Sequence, residues 1–263
     1  MADEGSAGDS YLGRLRAWIG GAFKARRREE KRKRREARFD SSERWQRDET
    51  GFAARRYASY EEYVEHQAAK LAVVYERRKE KDEGEIVEFE RRFTECAELQ
   101  GKRVVLCLGA RLGTEVKALH NVGFFGIGID LNPGPQNEWV LSGDFHKLVF
   151  KDRTVDAVYT NALDHVFELA RVIAEVRRVL HDDGIFVVDL LPGYEEGFTP
   201  GEYEATHWPR AEALLAEIER LGNLQRSSFR DLGQRRRDRW MQAVFTKLPD
   251  APDTSVPHSL RAE

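Results

Sequence analysis

The stretch from Lys102 to Asp130 constrains this chain more than any other. Val104-Val105-Leu106-Cys107-Leu108 is a short β-branched and apolar run, the pattern of a buried strand. Gly109-Ala110-Arg111-Leu112-Gly113 follows as a tight turn, and Thr114 to His120 reads as helix, with Val116 and Leu119 three apart. Phe124 to Ile129 makes a second strand that ends on Asp130, 21 residues past Gly109. Strand, glycine turn, helix, strand, acid is the plan of a βαβ unit that grips a nucleoside. Glycine at the strand end lets the backbone turn sharply with no Cβ in a ligand's way. The next helix aims its free N–H groups at the same place, and the acid accepts hydrogen bonds from ribose hydroxyls.

The remainder continues the alternation. Trp139-Val140-Leu141 reads as a third strand, followed by Gly143-Asp144-Phe145-His146, and Val155 to Tyr159 as a fourth. Asn161 to His165 opens a helix with the apolar stripe Val166, Leu169, Ile173, Val176 and Leu180, stopped by Gly184. Ile185 to Leu190 is a fifth strand, Pro192 to Gly201 a turn-rich loop, and Ala211 to Leu221 a helix. The last strands fall near Leu224–Phe229 and Trp240–Thr246. The fold class is therefore α/β, a doubly wound, mostly parallel sheet.

Upstream, Ser59-Tyr60-Glu61-Glu62 has the form of a capping box. Tyr60, Tyr63, Val64, Leu71 and Val74 then share a helix face. Ile86, Phe89, Phe93 and Cys96 mark a second amphipathic run that Gly101 closes, so 51–100 is a helical extension packed on the core domain, 101–248. Tyr60 and Tyr63 are candidates to lid a pocket, although burial for area is the commoner role of such a stripe. Residues 1–50 are a separate, partly disordered arm. Leu12, Leu15, Ile19 and Phe23 recur at helical spacing before Lys24–Arg38, where ten basic residues face three acids. The arm, over 12–38, is a candidate for weak contact with anionic surfaces, against a plainer reading as a solvated tail. Residues 249–263 read as a flexible tail.

The whole chain of 263 residues has a net charge of −3, which gives no global pull toward nucleic acid, and no specific nucleic-acid partner is predicted. Cys96 and Cys107 make neither a disulfide framework nor a metal cluster, and no Zn or Mg ligand set is visible. With no secretory segment or long apolar run, the expectation is a soluble protein of a reducing compartment, the cytoplasm.

From about Gly101 to Lys247 these motifs resemble, in order and spacing, a class I S-adenosylmethionine-dependent methyltransferase. The resemblance implies a Rossmann-like seven-stranded sheet and S-adenosyl-L-methionine as cofactor. Val104 to Gly113 resembles the motif that turns under the cofactor's methionine part, which nominates Leu108, Gly109, Ala110, Arg111 and Gly113. Gly128-Ile129-Asp130 resembles the ribose motif, with Leu131 beside it. Asp144 and Phe145 resemble the pair that flanks adenine, and Asn161 follows the fourth motif. Two departures stand out. The family's frequent acid two residues before the first glycine is Cys107 here, and the middle glycine is Arg111. Glu115 is then the nearest acid for the cofactor's amino group, and Arg111 is placed to salt-bridge its carboxylate.

Methyl transfer needs alignment and exclusion of water, and a base when the acceptor is a hydroxyl. Asp164 and His165, past the fourth strand tip, are the candidate catalytic residues; helix capping and packing under the cofactor are their plainer roles. The amino-methylating signature with paired prolines is missing, since Asn161 precedes Ala162-Leu163. The acceptor guess is a hydroxyl of a small metabolite or saccharide, with Tyr194, Tyr203 and Trp208 as candidate contacts. Two alternatives remain open. One is a non-catalytic, methyltransferase-like interaction protein that uses its basic arm. The other is an NAD(P)-dependent oxidoreductase, whose Tyr-x-x-x-Lys appears only at Tyr75–Lys79, before the first strand.

Overall fold

In the computed structural model the described residues are 26–27, 29–30, 33–41, 43–79, 82–235 and 238–249. The arm's apolar stripe Leu12, Leu15, Ile19 and Phe23, and the tail beyond Pro249, lie outside them. Residues 33–40 are helical. β1 (Trp45–Arg47) and β2 (Ala53–Arg55) form a hairpin across residue 50, and β8 (Thr206–His207) completes a three-stranded antiparallel sheet.

The main sheet has seven strands: β3 (Val104–Leu108), β4 (Phe125–Asp130), β5 (Val140–Ser142), β6 (Val155–Thr160), β7 (Leu180–Leu190), β9 (Leu224–Arg235) and β10 (Asp238–Lys247). Their spatial order is β5-β4-β3-β6-β7-β10-β9. β3 to β7 pair in parallel, and β10 runs antiparallel to both β7 and β9. The order reverses on either side of β3, which places a crevice beyond the carboxyl ends of β3, β4 and β6.

Strand alternation sends neighbouring side chains to opposite faces, and both faces are covered. Leu106, Leu108, Val158, Phe186 and Val188 join one core with α4 (Leu169–Val179) and α5 (Ala211–Gly222). Val105, Cys107, Tyr159, Ile185 and Val187 join the other with α2 (Asp82–Thr94) and α3 (Thr114–Asn121). A buried polar knot adds direction to the second core. Arg92 donates to Asp189 Oδ2 at 2.7 Å and to Glu88 Oε1 at 3.0 Å. Tyr159 and Gln242 donate to the same aspartate, at 2.8 and 2.7 Å.

α1 (Tyr60–Lys79) begins with half of the expected box: Glu62 N donates to Ser59 Oγ at 3.3 Å, while Glu62 Oε2 accepts from Ala58 N, one residue before the cap. Two sequence expectations change. The helix expected to open at Asn161 is instead a 3-10 turn, Leu163–His165, with α4 starting only at Leu169. The reason is His146, whose Nε2 accepts the N–H groups of Phe167 and Glu168 at 3.1 and 3.2 Å and so caps α4 there. The same helix ends at Val179, before Gly184: Leu180 already pairs with Val155, and 181–184 bulge out before Ile185 pairs with Ala157.

Candidate active site

The crevice is built from the loop after β3. Gly109 has φ +74°, and an added Cβ would lie 2.6 Å from Ala162 Cβ, so only glycine brings these two strand tips together. Gly109 N and Ala110 N both donate to Ile129 O, at 2.8 and 3.1 Å, which folds the loop over β4. Arg111 also has positive φ, +43°, and its N–H donates to Asp130 Oδ2 at 3.0 Å. Asp130 Oδ1 accepts from Asn132 N at 2.8 Å. One carboxylate thus pins two loops while each oxygen keeps a further acceptor position. Gly113 caps α3, where a Cβ would meet Trp139 Cβ at 2.5 Å.

Glu115, in the first turn of α3, is buried and accepts from Asn161 Nδ2 at 3.0 Å. The pair joins the first turn of α3 to the tip of β6 and puts an acid near Cys107, which occupies the position where the resemblance implies an acid. Cys107 is fully enclosed, and burial pushes its thiol up, with Glu115 adding to the effect. Leu108 is core, its carbonyl bonded to Thr160 Oγ1 at 3.0 Å.

On the other side of β4, Asp144 Oδ1 accepts from His146 N and Nδ1, both at 2.8 Å, and Oδ2 accepts from Tyr60 OH at 2.6 Å. Burial pushes this carboxyl up, but the bonds from His146 and Tyr60 prevail and hold it at about 2. Phe145, Leu131 and Asp130 line a narrow cleft of about 40 Å³, closed from above by Tyr63, Gln67, Lys70 and Leu71 of α1.

A larger cavity of about 430 Å³ adjoins it, walled by Ala110, Arg111, Glu115, Asn161, Asp164 and His165 and, opposite them, by Tyr203, Glu204 and Trp240. Asp164 and His165 occupy the 3-10 turn after β6. Asp164 is 8% exposed, and burial, reinforced by the neighbouring Glu204, pushes its carboxyl up to about 7. His165 Nδ1 lies 2.8 Å from the carbonyl of Tyr203, so it carries the proton, and Nε2 accepts from the Lys70 ammonium. Asp164, His165 and Glu204 offer ligand atoms within 4.8 Å of one another, the arrangement of a cation site. The ammonium of Lys70 already meets that imidazole.

The structure therefore brings Gly109, Ala110, Arg111, Glu115, Asn161, Asp164 and His165 to one cavity, and Asp130, Leu131 and Phe145 to the adjoining cleft. Asp144 stands behind Tyr60. Tyr203 lines the cavity, whereas Trp208 is buried in the core and Tyr194 packs on Phe39. Lys70 and Glu204 escaped the sequence reading. Lys70 sits on a helix whose orientation only tertiary packing fixes, and Glu204 on a loop without period.

Comparisons with known proteins bear on the fold. A family profile described as a methyltransferase domain matches residues 106–188. No curated protein matches the sequence. Among solved structures, the chain is similar to a Burkholderia thailandensis 1,6-didemethyltoxoflavin-N1-methyltransferase with bound 1,6-didemethyltoxoflavin and S-adenosylhomocysteine. The TM-score is 0.60 at 16% identity, over 78% of this chain and 99% of that one. It is also similar to a possible histamine N-methyltransferase from Thermotoga maritima, with a TM-score of 0.52 at 16% identity, over 70% of this chain and 100% of that one. A third similar structure is the [4+2]-cyclase SpnF, at 0.50 and 15% identity over 61% of this chain and 80% of that one. At these identities the likeness is one of fold. The chain thus carries a methyltransferase-domain match over residues 106–188 and shares the Rossmann-like methyltransferase fold of these structures.

Proposed function

We propose that the protein transfers a methyl group from S-adenosylmethionine to a hydroxyl of a small acceptor, with Asp164 as the base. The observation that carries this reading is the meeting, at one cavity beyond the parallel strand ends, of the Gly109–Gly113 turn, the Glu115–Asn161 pair and a buried carboxyl tuned to about 7. A carboxyl with that affinity is half ionised at neutral pH and takes a proton well. The lone pair of His165 Nε2 is engaged by Lys70, so His165 is a positioning residue here.

The residues fit the cofactor. The cradle at Gly109 admits no Cβ, Asp130 has acceptor capacity toward a ribose, and Glu115 with Asn161 suits an ammonium group. When bound, the cofactor supplies an already activated methyl group on sulfur, so the protein's tasks are alignment, proton removal and exclusion of water. The cleft is narrow and α1 lies across it, so admitting a nucleoside calls for α1 to move aside.

That closed cleft also favours a second reading, a methyltransferase-like fold used for interaction without transfer. Calorimetric titration of the full chain separates the two. S-adenosylmethionine is expected to bind, and Asp130→Ala to weaken it at least about tenfold. Heat with neither cofactor nor its demethylated product would refute the proposal, and heat with NAD(P) alone would point to an oxidoreductase. Incubating labelled donor with fractionated extract then reveals the acceptor.

A further inference from the structure

Beside the cavity lies a second chamber of about 370 Å³, bounded by Arg35, Arg38, Phe39, Arg44, Trp45, Arg55 and the loop 200–204. The two share Arg35, Lys70, Tyr203 and Glu204, so they communicate past the Asp164 turn. Four arginines, Arg35, Arg38, Arg44 and Arg55, line it with two carboxylates, Glu202 and Glu204, while Lys70, at the shared edge, is engaged with His165.

The pairing within the chamber leaves its charge incompletely neutralised. Arg38 and Arg44 reach for the same Glu202 carboxylate, each at 3.5 Å. Arg55 lies over the Trp45 ring at 5.1 Å and donates to two neutral carbonyls, Glu204 O at 2.8 Å and Gly201 O at 2.9 Å. Arg35 likewise donates to a carbonyl, Thr199 O, at 2.7 Å. Burial lowers the proton affinity of Arg55, opposed by nearby Tyr57, Glu202 and Glu204, with Arg44 adding a smaller lowering. A walled pocket with excess positive charge focuses its field on an anion, and planar guanidinium forks match carboxylate and phosphate oxygens in pairs.

We propose that this chamber binds an anionic group of the acceptor, a carboxylate or a phosphate, while the acceptor's reactive end passes Lys70 and Tyr203 to reach Asp164. The word acceptor rests on the methyl-transfer reading; the binding of an anion does not. The apolar wall of Phe39 and Trp45, both buried, suits a ring or chain next to the acid. The hydroxyl guessed from sequence therefore belongs to an acid-bearing or phosphorylated compound.

The experiment is calorimetric titration of the full chain at constant ionic strength, with inorganic phosphate in one arm and benzoate in the other. At least one is expected to bind, and which one assigns the anion. The double variant Arg38→Ser/Arg44→Ser, both on the exposed rim, is expected to weaken it at least tenfold. Glu202→Gln, which removes the competing carboxylate, is expected to tighten it several-fold, an effect that a damaged fold does not mimic. Absence of binding by either anion, or equal binding by wild type and both variants, overturns the proposal. Titration with S-adenosylmethionine is run separately: its failure refutes methyl transfer and leaves the anion result standing.

Discussion

The α/β platform and the helix that covers it are held by different forces. β3, β6 and β7 bury both faces, with Leu106, Val158 and Phe186 in one core and Val105, Tyr159 and Val187 in the other. Across the strand ends, α1 buries only Tyr63 and Leu71 among its described side chains. Hydrogen bonds attach the rest: Tyr60 OH to Asp144, Tyr63 OH to His165 O at 3.0 Å, Gln67 Nε2 to Tyr203 O at 2.9 Å, and Asn132 Nδ2 to Ala68 O at 3.1 Å. Area burial gives a platform that opens only globally, whereas a few polar ties let a cover lift at a fraction of that cost. A crevice that must admit a nucleoside needs this division.

The largest effect should therefore sit in the platform. Phe186→Ala empties a fully enclosed site and is expected to cost about 3–5 kcal/mol in a urea melt. Gln67→Ala removes one partly exposed tie and is expected to cost about 1 kcal/mol or less. Similar losses from both would erase the distinction. Next in size is Asp164→Asn, which keeps shape but not basicity. It is expected to lower the transfer rate at least about a hundredfold with cofactor affinity retained. The wild-type rate should rise with pH through about 7, as the base ionises. A flat profile would remove Asp164 from the chemistry.

The platform was legible in sequence because its signals are local and repeated. Val104–Leu108 alternates between two cores, and the glycine-to-acid spacing from Gly109 to Asp130 needs no tertiary information. What escaped is what tertiary contacts decide. The strands of the small sheet have two or three residues each, too few for any period. The 181–184 bulge follows from pairing register, and the start of α4 at Leu169 from His146, 23 residues upstream. The cavity's far wall, Tyr203 and Glu204, is set by how the loop folds back over β6, where Ala205 N donates to Asp164 O at 2.8 Å.

A smaller effect tests whether the cover reaches into the platform's chemistry. The Lys70 ammonium favours the ionised form of Asp164 and so holds its proton affinity down. Lys70→Met removes that charge at nearly constant volume, so the carboxyl should titrate higher. The rising limb of the pH–rate profile is expected to move toward alkaline pH by about half a unit or more. An unmoved limb would reduce Lys70 to a tether.

The smallest effect lies at the first turn of the cover. Tyr60→Phe deletes one hydroxyl, the donor to Asp144 Oδ2, and leaves the ring packed against His146 and Phe167. Because Asp144 is held at about 2, below its unfolded value near 3.9, its contribution is full above pH 4 and is lost as pH falls through about 2. The variant should raise the folded carboxyl toward its ordinary range. At pH 7 the cost is expected to be about 1 kcal/mol, discounted because the carboxylate is partly exposed. The gap between wild type and variant should then narrow as urea melts are repeated toward pH 2.5. A gap that stays constant with pH would mean that the ring's packing, rather than its bond to the carboxylate, ties α1 to the strand ends, and the cover would be apolar in its attachment after all.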